Sequence, residues 1–148
     1  MYPKNSISIA IATMITLLSS SSISAEPKGF KTPSGNIFCE LIPGETKETN
    51  SLRCEITTSL KPKPPEPYKG YCEFDWGRGF LLSASYKPEI LCISDTIADP
   101  NKSVLGYGKT WNNGGFQCVS QKAGLTCKND NNYGFFLSKN KWQVLGMK

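Results

Sequence analysis

Two carboxylates, Glu73 and Asp75, stand two residues apart, a spacing that on a strand aims both side chains the same way with Cα atoms about 6.6 Å apart. Such a pair could divide acid and base work in a small hydrolase of envelope polymers. Alternation alone also puts such pairs on the wet face of a strand, with Cys72, Phe74 and Trp76 turned to the core, and that reading is preferred. Ser138-Lys139-Asn140-Lys141 spells the SxxK string of penicillin-binding enzymes, but that chemistry needs a helix start and a much larger fold. Asn129-Asp130-Asn131 with Gly134 has the look of a calcium loop. The closing Glu is missing, since Asn140 stands at the twelfth position, so an Asn-rich hairpin turn accounts for it better. Asn101-Lys102-Ser103 is a formal glycosylation sequon and reads as a loop.

The chain has no histidine. That excludes the Ser-His-Asp and Cys-His nucleophiles, the HExxH zinc proteases and the side chain best suited to proton transfer near neutral pH. Six cysteines without CxxC spacing point to structural bridges, so neither a metal centre nor a cofactor is assigned and no catalytic residue is named. What remains is surface for binding. From Lys102 to the end there are seven lysines and one acid, Asp130, whereas the stretch from Glu26 to Asn101 is slightly acidic. Lysines and aromatics interleave there, and the candidate binding residues are Tyr107, Lys109, Trp111, Lys128, Tyr133, Lys139, Lys141 and Trp142. Cations beside planar rings suit an anionic envelope glycan or an acidic protein surface. No motif for reading nucleic acid is present.

The elements that must position these residues begin after a targeting segment. Met1 to Ala25 carries Lys4, an apolar stretch from Ile7 to Leu18 and a small-residue run ending Ser24-Ala25, which is the grammar of a secretory signal peptide. Its apolar core is too short to cross a hydrocarbon layer of about 30 Å with ease, so no membrane span is expected after cleavage. Residues 26–148 then form a single secreted or periplasmic domain, in a compartment that oxidises cysteines. With 148 residues in all, 39% hydrophobic and 20% charged, there is room for one core and no second domain.

Period-two alternation builds that domain. Ile37, Cys39 and Leu41 share one face, and Leu52, Cys54 and Ile56 share another. An antiparallel hairpin with Cys39 opposite Cys54 also sets Leu41 against Leu52, Ile37 against Ile56 and Glu40 against Arg53. Lys61 to Pro67 can be neither helix nor central strand and should run as extended polyproline over the surface. A repeat follows: Cys72, Asp75, Gly79, Phe80, Leu82 and Ser83 align with Cys127, Asp130, Gly134, Phe135, Leu137 and Ser138. Cys118 and Cys127 bracket a tight turn and should pair. Cys72 with Cys92 is the remaining bridge, although a strand from Phe80 to Tyr86 would lie between them and hold them about 9.6 Å apart, beyond the reach of a disulfide. Joining Cys54 to Cys72 and Cys39 to Cys92 is the main alternative. Further short strands are expected over 90–94, 133–138 and 142–145, and helical periodicity is absent. The fold class is all-β, a small disulfide-stapled antiparallel sandwich or barrel built from hairpins.

Thr32-Pro33-Ser34-Gly35-Asn36-Ile37 before Cys39, Arg53-Cys54, Asp75-Trp76-Gly77 and Asp95-Thr96 after Cys92 together resemble an uncharacterised family of secreted bacterial proteins. Leu105-Gly106-Tyr107-Gly108, Gly124-Leu125 before Cys127, Gly134-Phe135 and Leu137-Ser138 follow in the family's order. The resemblance implies export and a disulfide-bonded β-domain, and no activity. Where the family often places His between two glycines, this chain has Asn132-Tyr133-Gly134. The expected function is a non-enzymatic binding module for an envelope glycopolymer or a protein partner. A hydrolase using Glu73 and Asp75, or an inhibitor or immunity protein against an envelope-targeting enzyme, are the alternatives.

Overall fold

Alternating strands joined by short polar turns bury most surface when each pairs with its chain neighbour and two such sheets close over one core. The computed structural model, which describes residues 27–146, does this twice over. Strands β1 (Gly29–Lys31), β2 (Ile37–Ile42), β3 (Ser51–Ile56), β4 (Asp75–Ser83) and β5 (Glu89–Ile93) form one antiparallel sheet in chain order. Strands β6 (Thr110–Asn113), β7 (Phe116–Gln121), β8 (Gly124–Asn129), β9 (Gly134–Leu137) and β10 (Trp142–Leu145) form the second, also in chain order. The sheets stack as a sandwich and do not close into a barrel. The expected signal peptide, Met1 to Ala25, lies outside the described residues.

The two sheets repeat one transverse row. In the first, Phe30, Cys39, Cys54, Phe80 and Ile90 stand opposite one another from β1 to β5; in the second, Trp111, Cys118, Cys127, Phe135 and Val144 do so from β6 to β10. The bridges Cys39–Cys54 and Cys118–Cys127 join directly opposed residues, each with a Cα separation of 4.1 Å. That is near the about 4.5 Å of closely spaced, non-hydrogen-bonded antiparallel pairs. The two bridges meet at the centre of the core, where the sulfurs of Cys39, Cys54 and Cys127 lie within 4.8 Å of one another. Beside them the rings of Phe80 and Phe135 stack across the sandwich at 4.8 Å.

The hairpin register expected for β2 and β3 is the one found, including Glu40 against Arg53. The repeat needs correcting in one half. Gly79 to Ser83 and Gly134 to Ser138 are indeed equivalent, on β4 and β9, but the structural counterpart of Cys127 is Cys54 and not Cys72. Both glycines are required by close approach: a Cβ on Gly79 or Gly134 would fall 2.0 Å from the carbonyl oxygen of Cys54 or Cys127. Cys72 does pair with Cys92, at a Cα distance of 5.7 Å. No strand intervenes, because β4 starts at Asp75, after Cys72, and sets Trp76 against Cys92. Cys92 is exposed and Cys72 half-buried, so this bridge pins a loop at the sheet's edge while the other four cysteines fill the core. Phe74, expected inside, is 62% exposed on that loop.

The three tryptophans all donate their indole N–H to proline carbonyls: Trp76 to Pro64 at 2.9 Å, Trp111 to Pro27 at 2.8 Å and Trp142 to Pro62 at 2.7 Å. The proline-rich run is therefore clamped by one tryptophan from each sheet, with Pro64 buried. The outer face of the first sheet is covered too. After β5 the chain crosses it as a strap over 94–104 and reaches the edge of β1, where Lys31 N donates to Ser103 O at 2.9 Å. Glu55, on the face alternation assigns to water, is consequently only 2% exposed. It accepts from Arg53 at 2.5 Å, from Thr96 Oγ1 at 2.6 Å and from Ile97 N, while Arg53 also donates to Asp95 O at 2.8 Å. Glu40 pairs with Lys102 of the strap and not with Arg53.

Candidate functional site

At one end of the sandwich three turns, the start of the β3–β4 connection and the linker between the sheets enclose a cleft of about 480 Å³. The β1–β2 turn is shaped by Thr32, whose buried Oγ1 accepts from Ile37 N at 3.2 Å and lies 3.2 Å from Ser34 Oγ. Gly35, at φ +66°, closes it, a conformation for which glycine carries no steric penalty. Asn36 is oriented by Thr57, whose hydroxyl donates to its Oδ1 at 2.6 Å. The β7–β8 connection is the two-residue turn Lys122-Ala123 between Gln121 and Gly124. The Cys118–Cys127 bridge below it fixes this hairpin. The β9–β10 turn is tied by Ser138, whose Oγ donates to Lys141 O at 3.0 Å and accepts from Lys141 N at 3.1 Å. Tyr107 on the linker is 45% exposed, and the backbone beside it is anchored to β7 by Gly108 N donating to Ser120 O at 2.7 Å.

The lining is hydroxyl and amide groups with Ile37 and Ala123, the Tyr107 ring and two cations, Lys122 and Lys139. Its wall holds no carboxylate, and neither lysine enters any ion pair among the described residues. Rigid turns, hydrogen-bonding groups of both kinds and an open ring face equip the cleft to bind a polyhydroxylated ligand.

Of the residues singled out from sequence, Tyr107 and Lys139 line this cleft, and Lys109 sits two residues beyond Tyr107 without lining it. Lys128 stands at the opposite end, in an amide-rich hollow with Asn112 and Asp130. Tyr133 is half-buried against the core, and the Lys141 ammonium lies 5.3 Å from the centre of the Phe136 ring. Trp142 is half-buried on Phe80 beside its proline contact. Trp111 is 2% exposed, its ring 5.3 Å from that of Phe30, so it is core and not a platform. Lys122, Ser34, Asn36 and Thr58 were not singled out. The signal for the first was the turn length between Cys118 and Cys127, and for the next two the Thr32 to Ile37 segment.

Glu73 and Asp75 do not form the pair the spacing allowed. Glu73 precedes β4, and Asp75 is engaged with Arg78 at 3.1 Å, lining a second cleft in which Glu73 has no place. Ser138 to Lys141 is a turn between strands, not the start of a helix. In the Asn-rich turn the Asn129 amide donates inward to Ser83 O and Tyr86 O, at 2.9 and 3.0 Å, and its Oδ1 accepts from the backbone of Asn131 and Tyr133.

Residues 9–145 match the model of a family described as one of unknown function, DUF6636. Neither the curated proteins nor the solved structures hold a significant match to the chain. Of the segments that carried the resemblance in sequence, some contribute Thr32, Ser34, Asn36, Tyr107, Gly124 and Ser138 to the wall of this cleft, whereas Asp75, Asp95 and Thr96 line the second one.

Proposed function

We propose that this chain, which belongs to that family of unknown function, is a non-enzymatic binding domain for an envelope glycopolymer, working outside the cytoplasm with the end cleft as its ligand site. The observation that carries the reading is the cleft's composition: hydroxyls and amides held by three tied turns, with the exposed Tyr107 of the linker beside them and no carboxylate in the wall. Polyhydroxylated ligands are held by such groups, while most glycoside hydrolysis uses two facing carboxyls. Three disulfides with no free cysteine suggest an oxidising, extracytoplasmic compartment. No helix among the described residues is long and apolar enough to cross a membrane. Export fits the signal grammar of Met1 to Ala25, and mass measurement of the periplasmic or secreted form tests it by a chain starting at Glu26.

The deciding experiment is a titration of the isotopically labelled mature chain with solubilised envelope glycan fragments, followed by amide shifts and by chromatography of the glycan. The expected result is shifts centred on Ser34, Asn36, Lys122 and Lys139 with the glycan unchanged. Shifts confined to the strap or the outer sheet face would reject the cleft, and shortened glycan would reject a binding-only role.

A further inference from the structure

We infer, resting on the cleft as ligand site, that its ligand is an anionic saccharide whose carboxylate or phosphate sits beside Lys122, where the opposite end of the molecule seats its own Asp130. The molecule supplies its own comparison, because the two halves share one register. The second strand of each half is marked by Cys39 or Cys118, the third by Cys54 or Cys127 and the fourth by Phe80 or Phe135. In each half the connection between second and third strands carries a lysine, Lys47 in one and Lys122 in the other. The residue three beyond the third strand's cysteine is Thr57 in the first half and Asp130 in the second.

At one end Lys47 of the first half reaches Asp130 of the second, Nζ to Oδ2 2.7 Å. At the other end Lys122 of the second half lines the cleft together with Thr58, the neighbour of Thr57. No carboxylate completes it there. The same turn-borne cation is thus satisfied by the chain at one end and left open at the other, with Lys139 from the β9–β10 turn adding a second positive charge. The remaining groups decide the class of anion-bearer. Ser34, Asn36, Gln121 and Asn140 offer donors and acceptors suited to sugar hydroxyls, and the Tyr107 ring offers a face for a pyranose. A sugar, with several hydroxyls per ring that each donate and accept, matches these groups more densely than a peptide, which brings one backbone donor and one acceptor per residue.

The test titrates the mature chain with four probes of similar length: an oligoglucuronate, a phosphomannan oligosaccharide, a neutral glucan oligosaccharide and a glutamate peptide. Cleft amide shifts report the place and calorimetry the affinity. At least one of the first two is expected to bind at the cleft tenfold or more tightly than the neutral glucan, and several-fold less tightly at 0.5 M salt, where the Debye length is shorter. Which of the two is tighter distinguishes carboxylate from phosphate. Lys122→Gln should remove the preference for charge. Thr58→Asp, supplying in the cleft the carboxylate that Asp130 supplies opposite, should weaken the anionic probe at least tenfold and by a larger factor than the neutral one. Both positions are exposed, and melting curves establish that the variants are folded; Lys139→Gln repeats the test from the third turn. Neutral glucan binding at the cleft as tightly as the anionic probes overturns the inference and leaves the cleft standing as the site. The same holds if the glutamate peptide binds tightest. Failure of both anionic saccharides to bind at millimolar concentration overturns it, and shifts mapping elsewhere reject the site as well.

Discussion

Removing the three disulfides one at a time separates loop entropy from core packing, because here the two rank the bridges in opposite order. The bridges close segments with sequence separations of 9 (Cys118–Cys127), 15 (Cys39–Cys54) and 20 (Cys72–Cys92). Chain entropy alone assigns them about 2.6, about 3.0 and about 3.3 kcal/mol in that order. Replacing Cys72 and Cys92 by Ala removes one half-buried and one exposed sulfur and should cost little beyond its entropy. The other four cysteines are fully buried at the centre of the sandwich. Each lost sulfur there forfeits about 0.8 kcal/mol of transfer energy, as for a methylene, plus a cavity contribution. Each central double variant should therefore lose about 5 kcal/mol, a large part of the about 5 to 15 kcal/mol typical of a domain. Urea unfolding followed by tryptophan fluorescence measures the three losses. If they follow loop length, with Cys72→Ala/Cys92→Ala the most destabilised, the central packing of the two bridges is refuted.

Trp111→Ala should lose about 3 to 5 kcal/mol as a buried aromatic, with glycan affinity per folded molecule unchanged; unchanged melting with lost affinity would return Trp111 to the ligand site. Arg53→Met leaves the buried Glu55 carboxylate without its cation and should cost about 3 to 5 kcal/mol in urea unfolding, with faster amide exchange at Ile97. A loss below about 1 kcal/mol would mean that Thr96 and the strap backbone suffice to hold Glu55. Asp130 holds the Lys47 ammonium above its ordinary value of 10.5, through its hydrogen bond first and its charge second. A raised lysine pKa favours the folded state below that ordinary value, and this contribution fades as pH rises through the folded value. Asp130→Asn should bring the Lys47 titration, followed by NMR, back towards 10.5, and at pH 7 it should lose only the small contribution of a solvent-exposed pair.

The hairpin of β2 and β3 was legible because one register satisfied every facing pair, and a one-residue slip would have turned Cys39 to water. The Cys118–Cys127 hairpin was legible from spacing, because a tight turn over 121–124 sets the two cysteines directly opposite each other. The strap was not, since residues 94–104 carry no period, and its anchors Glu40, Arg53 and Glu55 occupy positions that alternation gives to solvent. Only the covering segment makes them interior. Trp111 misled because its neighbours Thr110, Asn112 and Asn113 are polar, and a four-residue strand holds too little pattern to show which face is inward. Of the cleft, Tyr107 and Lys139 could be named from sequence as polar-flanked surface residues. Lys122 was legible as a turn residue from the spacing of Cys118 and Cys127 but not as part of a cleft, because its partners come from turns distant in the chain, which only the stacking of the two sheets brings together.

The difference between the two ends follows from one connection. In the second half the path from β8 to β9 is the short turn over 130–133, which keeps Asp130 at the strand's end, where Lys47 finds it. In the first half the path from β3 to β4 is the long connection 57–74, which runs beside β4 and into the proline-rich loop. Leu60 N donates to Gly77 O at 2.8 Å, Pro62 and Pro64 are held by Trp142 and Trp76, and Cys72 is bridged to Cys92. The first residues of that path, Thr57 and Thr58, bring hydroxyls and no charge to the end where the second half carries Lys122. The proline-rich loop and the lysine without a carboxylate partner thus lie on the same departure from the repeat.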